Sequence, residues 1–311
     1  MIKFIFQRLL TTIPIILGVT LLTFILLHNS TDIVDIMELN RGIAYSEATK
    51  LQIRHELGLD QPMYLQYIHW LFNMLSGNLG QSFISGKDVF TLFMQKLPAT
   101  LYLTFAALLL TLIISFPLGI YCAFHENKLS DQLLRYLTFI GNALPGFFLA
   151  LLLIYIFSVK LNLLPVINNN ALSSIILPSL TLAIPMSAKY IRQIRTIIIE
   201  QLQQDYVFFA QANGVKLYQL LFPNILKMSI LPIITLIALS IGSLLGGSAI
   251  VESIFMWDGV GKLAIDAINH RDYPIVLAYT FYLSLIYIIV NLLADILYHY
   301  LDPRLQHIIR K

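Results

Sequence analysis

EQLQQDYVFFAQANGVKLYQLLFPNILKMSILP, running from Glu200 to Pro232, sits between long apolar runs yet carries Glu200, Asp205, Lys216 and Lys227. Each such charge costs roughly 2.5–3.5 kcal/mol at the centre of a bilayer, so this stretch belongs in water. Asn213-Gly214 is a stop signal, because glycine closes a helix in the left-handed conformation. The pattern predicts two short helices, from about Ile197 to Ala212 and from about Lys216 to Leu226. Tyr206, Phe208, Phe209, Tyr218 and Phe222 crowd this hairpin, which is too small to build a core of its own. Aromatics in that position act as anchors in a pocket on a partner.

The flanks set the fold class. Of the 311 residues, 58% are hydrophobic and 12% charged, with a mean hydropathy of +0.76. A soluble surface needs about a quarter of residues charged, so the chain is an integral membrane protein. Six charge-free runs stand out: Leu9 to Leu27, Ala99 to Phe124, Tyr136 to Val159, Ala171 to Ala188, Met228 to Val251 and Ile275 to Ala294. Each is long enough for a crossing helix of about 20 residues, and none alternates as a barrel strand does. The first is too long for a signal-peptide core and has no small-residue cleavage pattern after it. With the N-terminus inside, twelve of the 20 Lys and Arg fall on the inner side. That asymmetry places both termini and the Glu200 hairpin in the cytoplasm.

Between the crossings, His28 to Pro98 reads as an external helical segment. Ser46 is the N-cap of a helix over Glu47 to Leu57 that stops at Gly58, and Pro62 opens a helix through Leu75 that stops at Gly77. The fourth run continues as a helix past Lys189, Arg192 and Arg195, whose charges either reach lipid phosphates or carry a rigid extension into the hairpin, the whole cytoplasmic loop spanning 189–227. Candidates for lining a pathway are Asn142, a polar group inside a crossing, and Ser243, Gly246 and Gly247, which either permit close packing or leave room for a solute.

Several chemistries are excluded. The six runs hold no Asp, Glu, Lys, Arg or His, so there is no catalytic set and no buried ionisable residue for proton coupling. The seven histidines lack metal-ligand spacing, and the lone Cys122 excludes an intrachain disulfide or a multi-thiolate metal site. Gly259-Val260-Gly261-Lys262 fails as a phosphate loop, having Met256 where glycine is needed and Leu263 where Ser or Thr is needed. No basic, aromatic-interleaved face points to nucleic acid. A secondary transporter and a non-transporting scaffold remain as rival readings.

DYVFFAQANG (Asp205 to Gly214), LGLDQPMYLQY (Leu57 to Tyr67), LPATLYL (Leu97 to Leu103), the stretch Gly246 to Pro274 and the terminal LDPR (Leu301 to Arg304) together resemble the first permease subunit of peptide and nickel ABC importers. Phe208 and Phe209 depart from the family's general Glu-Ala, and Asp258 stands where proline is expected. The resemblance implies an all-α type I importer permease with six crossings. It implies a second homologous permease, two cytoplasmic ATPase subunits and an external substrate-binding protein as partners, with no cofactor in this chain. It makes Tyr206, Phe208, Phe209, Ala210, Gly214 and Tyr218 the contacts to the ATPase. LGLDQP, LPAT and RDYP look closer to nickel or metal-chelate (metallophore) importers than to dipeptide or oligopeptide ones, the alternative within the same family.

Overall fold

Proline and glycine decide where the helices stop. The structure, a computed structural model, describes residues 2–29, 33–42, 44–167 and 172–301. Ala171, at the head of the fourth run, and Asp302 to Arg304 of the closing LDPR lie outside the described residues, as do the terminal arginines. In chain order the helices are α1 (Ile2–His28), α2 (Ile33–Arg41), α3 (Glu47–Glu56), α4 (Met63–Leu75), α5 (Val89–Phe124), α6 (Leu129–Ala143), α7 (Gly146–Leu153), α8 (Ile176–Leu202), α9 (Asp205–Ala212), α10 (Leu217–Leu220), α11 (Lys227–Ile254), α12 (Val260–Asn269) and α13 (Tyr273–Leu301). Wide π-type turns extend α7 over Ile154–Lys160 and join α10 to α11 over Leu221–Leu226.

Among the described residues, five helical segments are long and apolar enough to cross a membrane. The run Tyr136 to Val159 does not form the straight crossing helix that it predicts. It is a pair, Leu129–Ala143 and Gly146–Lys160, bent by 102°, which is the shape of a broken span or a re-entrant loop. Pro145 is the cause: the residue before a proline is pushed out of the helical region, and Leu144 is extended at φ −72°, ψ 126°.

The chain forms two compact units. The first comprises residues 1–100 and 258–288. In it the Ser46 hydroxyl accepts the Thr49 N–H at 3.2 Å, as the N-cap reading predicts. Gly58 (φ +66°) and Gly77 (φ +85°) close α3 and α4, each with the paired C-terminal hydrogen bonds of a Schellman motif. Pro62 sits at the N-cap, one position before the helix that it was expected to open. Its missing N–H and fixed φ serve equally well there. Asp272, fully buried, accepts the Ser82 hydroxyl at 2.5 Å and the Phe83 N–H at 3.1 Å. Asp258, where proline was expected, pairs with Lys96, and Trp257 beside it is buried. The Val260 N–H, in the first turn of α12, donates to the Thr100 hydroxyl at 2.9 Å, so LPAT and the start of α12 are parts of one structure.

Asp88 caps α5. Its carboxylate accepts the Thr91 N–H at 2.8 Å and the Thr91 hydroxyl at 2.7 Å, and these bonds hold its pKa below the ordinary 3.8. Asp88→Ala is expected to cost about 1 kcal/mol of stability at neutral pH. Because the folded pKa is the lower one, that contribution is complete above the ordinary carboxylate range and is lost as pH falls through the depressed value. Thermal unfolding of both proteins at neutral and acidic pH checks this, the gap between them closing on acidification.

The second unit comprises residues 101–257 and 289–311, and α8 is its hub. Tyr190, Ile194 and Ile198 are fully buried along it. Gly119 of α5 lies so close that an added Cβ would stand 2.8 Å from Ile194, so only glycine fits. The Tyr190 hydroxyl donates to Ser240 of α11 at 2.8 Å.

Candidate functional site

The hairpin between α8 and α11 departs from its predicted form in two ways. Its first arm is not one helix from Ile197: α8 ends at Leu202, the chain turns through Gln203-Gln204, and α9 starts anew at Asp205. Its second arm is not a free helix ending at Leu226, because the π-type turn of Leu221–Leu226 feeds α11 without a break. The loop is thus continuous with a crossing helix at its far end and joined to α8 by a two-residue turn at its near end.

The stop between α9 and α10 is a full Schellman motif. The Gly214 N–H donates to the Gln211 carbonyl at 2.9 Å and the Val215 N–H to the Ala210 carbonyl at 3.1 Å. Gly214 has φ +82°, and nothing lies within 4 Å of where its Cβ would be. The position therefore requires glycine for backbone conformation and not for space. The Lys216 N–H donates to the Gln219 side-chain oxygen at 3.1 Å, closing the start of α10.

Contrary to the expectation of a hairpin without a core, its inner face is packed. Val207, Leu220 and Ile225 are buried, and Tyr206 and Ala210 pack against the same cluster as Tyr190 and Ile198. Burial raises the Tyr206 pKa above that of a free tyrosine, and its hydroxyl donates to the Gln201 side-chain oxygen at 3.3 Å. Tyr206 and Ala210 therefore join the loop to the body of the unit. Phe208 (60% exposed), Phe209 (74%), Tyr218 (62%) and Phe222 (76%) point away from it. Four large aromatic side chains in the open on a rigid, charge-poor turn form an apolar contact surface.

Behind this surface lies a polar lock that the sequence reading missed. Asp131 of α6, fully buried, accepts Arg195 Nε at 2.8 Å and Nη2 at 2.9 Å. It also accepts the Asn127 N–H at 3.1 Å. Three residues before Arg195, Arg192 stands over the Phe139 ring at 5.2 Å and donates to the Thr138 carbonyl at 3.4 Å. Gly141 meets Ala188 further along, so α6 and α8 run antiparallel and zipped. Arg192 and Arg195 thus face a neighbouring helix, not lipid phosphates. A lone acid in the first turn of an amphipathic helix was the available signal for this contact.

Among the pathway candidates, Ser243, Gly246 and Gly247 share one exposed face of α11, and among the described residues nothing lies within 4 Å of a Cβ added to either glycine. Ser240, on the same helix, is instead buried and bonded to Tyr190. Asn142 is exposed near the end of α6, two residues before the bend.

Membrane-crossing helices that carry an exposed aromatic hairpin fit the class of a transport permease. The chain belongs to the family of binding-protein-dependent transport system inner membrane components, which it matches over residues 115–307, with the family's N-terminal component matched over residues 1–104. It is 37% identical over 318 aligned residues to the oligopeptide transport system permease protein AppB of Bacillus subtilis (strain 168), covering 99% of this chain and all of AppB. It is 34% identical over 307 residues to the glutathione transport system permease protein GsiC of Escherichia coli O6:H1 (strain CFT073), with 99% and 100% covered. Its fold is similar to that of the MetNI methionine ABC transporter in an inward-facing conformation, at a TM-score of 0.59 and 14% identity over 68% of this chain and 96% of that one. The expectation of an ABC importer permease that works with a second permease, ATPase subunits and a substrate-binding protein is met. Any ATPase activity in such a system belongs to the separate subunits. The leaning towards nickel and metal chelates finds no support, since both relatives carry names from peptide transport.

Proposed function

We propose that this chain forms half of the translocation pathway of an ATP-driven importer for short peptides, with Phe208, Phe209, Tyr218 and Phe222 as its contact to an ATPase subunit. The observation that carries the coupling role is the exposure of four aromatics on a loop whose inner face is locked to α8 and whose end is continuous with α11. Lys and Arg asymmetry supports a cytoplasmic position for this loop and both termini. Peptide is the substrate class because the names of AppB and GsiC both concern peptides.

The geometry suggests how work passes. Closing of the ATPase subunits on ATP displaces the aromatic face; Tyr206 and Ala210 transmit that displacement to α8, and the Leu221–Leu226 turn transmits it to α11. Rotation of α11 moves the face bearing Ser243, Gly246 and Gly247, which lines the pathway together with Asn142 and the second permease. Uptake of labelled oligopeptide, glutathione and nickel chelate by a strain lacking this gene, against the same strain carrying it, tests the substrate class. Loss of peptide uptake with chelate uptake unchanged is expected; loss of chelate uptake alone would overturn it.

A further inference from the structure

The helix α4 leaves an apolar stripe exposed. Tyr64 (65% exposed), Ile68, Phe72 (69%) and Leu75 form it. Gln66 and the exposed His69 and Asn73 lie on another face and border an open cavity of about 470 Å³ in the first unit. The remaining face packs on α1. Tyr67 meets Phe24 edge-on at 5.5 Å and hydrogen-bonds the Thr20 hydroxyl at 2.9 Å, and Trp70 lies 6.2 Å from Phe24.

The level of this contact identifies what covers the stripe. Phe24 lies four residues before the end of α1 at His28, and at 1.5 Å per residue that is about 6 Å inside the apolar span. Helices lying in a membrane interface are buried by about 5–10 Å. Leu21 and Ile25 of α1, on the helix faces that adjoin Phe24, are exposed as well, so apolar surface continues from the stripe onto a crossing helix. No Asp, Glu, Lys or Arg occurs between Asp60 and Lys87. The preceding helix α3 differs in carrying Lys50, Arg54 and Glu56.

We propose that α4 is an interfacial helix whose Tyr64, Ile68, Phe72 and Leu75 face is covered by lipid acyl chains in the leaflet where α1 ends. The segment between the first two crossings is then not a wholly aqueous lid: α3 stays in water, α4 lies in the membrane and clamps α1. This rests on α1 crossing the membrane and is independent of the coupling role of the hairpin.

Cysteine at Tyr64 or Phe72, with Gln52→Cys on α3 as the aqueous control, tests it in the whole transporter in bilayer discs open on both sides. A charged maleimide is expected to label positions 64 and 72 roughly tenfold more slowly than 52. Nitroxides at 64 and 72 should collide with oxygen in preference to a water-soluble nickel complex, and the one at 52 the reverse. Equal labelling at all three would overturn the proposal. So would protection that appears only when the substrate-binding protein or the second permease is added, since the cover would then be protein. Uptake by the three variants stays at the parental level if lipid covers the stripe, and labelling is read without ATP or ATPase action, which separates this test from that of the coupling loop.

Discussion

Alanine at both Phe209 and Phe222 is expected to leave the chain folded in the membrane and to abolish uptake. Both rings are exposed, so their removal takes no contact from the core of the unit. A buried aromatic anchor in an interface is worth about 2 kcal/mol or more, so losing two costs about 4 kcal/mol, a roughly thousandfold weaker grip on the ATPase subunit. Co-purification of the ATPase and the rate of its transport-linked hydrolysis measure this directly. Full uptake by the double variant would remove the aromatic face from the coupling path. Val207→Ala is the contrasting control: Val207 is buried, so its loss should lower stability first and uptake only as a consequence. Gly214 separates shape from charge. Any L-residue at φ +82° is strained by about 1–2 kcal/mol, with Asn and Asp the most tolerant. Gly214→Asn should retain most uptake, Gly214→Val should lose it through a distorted turn, and Gly214→Asp should lose it through a charge set against an apolar pocket.

Helix and crossing positions were legible because lipid permits few backbone solutions: an apolar run of sufficient length has to be helical. Ser46, Gly58, Gly77 and Gly214 were legible for a local reason, since caps and left-handed stops depend on residues a few positions apart. The bend at Leu144-Pro145 was misread because a charge-free run signals only burial in lipid, and its direction of travel is set by one proline. Tyr206 and Phe209 look alike in sequence, yet one packs on α8 and the other stands in the open. Only the break at Gln203-Gln204, which resets the helical phase between α8 and α9, decides which is which. The substrate lay beyond reach for a different reason: LGLDQP and RDYP sit at helix ends and turns and LPAT lies inside α5 against the start of α12, where they report backbone shape and packing and not the solute.

Long-range charge pairing is what sequence periodicity cannot supply, and Asp131→Ala is where its effect should be greatest. Asp131 is fully buried, and its two oxygens take the fork of Arg195 at 2.8 and 2.9 Å and the Asn127 N–H at 3.1 Å. Alanine leaves the Arg195 guanidinium, itself only 15% exposed, with Glu126 at 3.7 Å as its remaining acidic neighbour. Removing one partner of a buried pair costs about 3–5 kcal/mol, a large part of the 5–15 kcal/mol that holds a typical protein together. A marked fall in unfolding temperature and in the amount of protein reaching the membrane is the expected result, and a variant as stable as the parent would show that the pair contributes little. Arg195→Lys should lose part of the same energy, because an ammonium cannot form the two parallel bonds. Replacing both residues, Asp131→Leu with Arg195→Met, removes the buried Arg195 charge and leaves Arg135, 3.6 Å from Asp131 but 39% exposed, to turn to water, so most of the stability should be recovered. That double variant then asks a question that neither single one can. If it is stable and still transports, the lock serves only to hold α6 on α8. If it is stable and hydrolysis of ATP no longer drives uptake, the rigid joining of α6 to α8 is itself part of the route by which the hairpin moves the crossing helices.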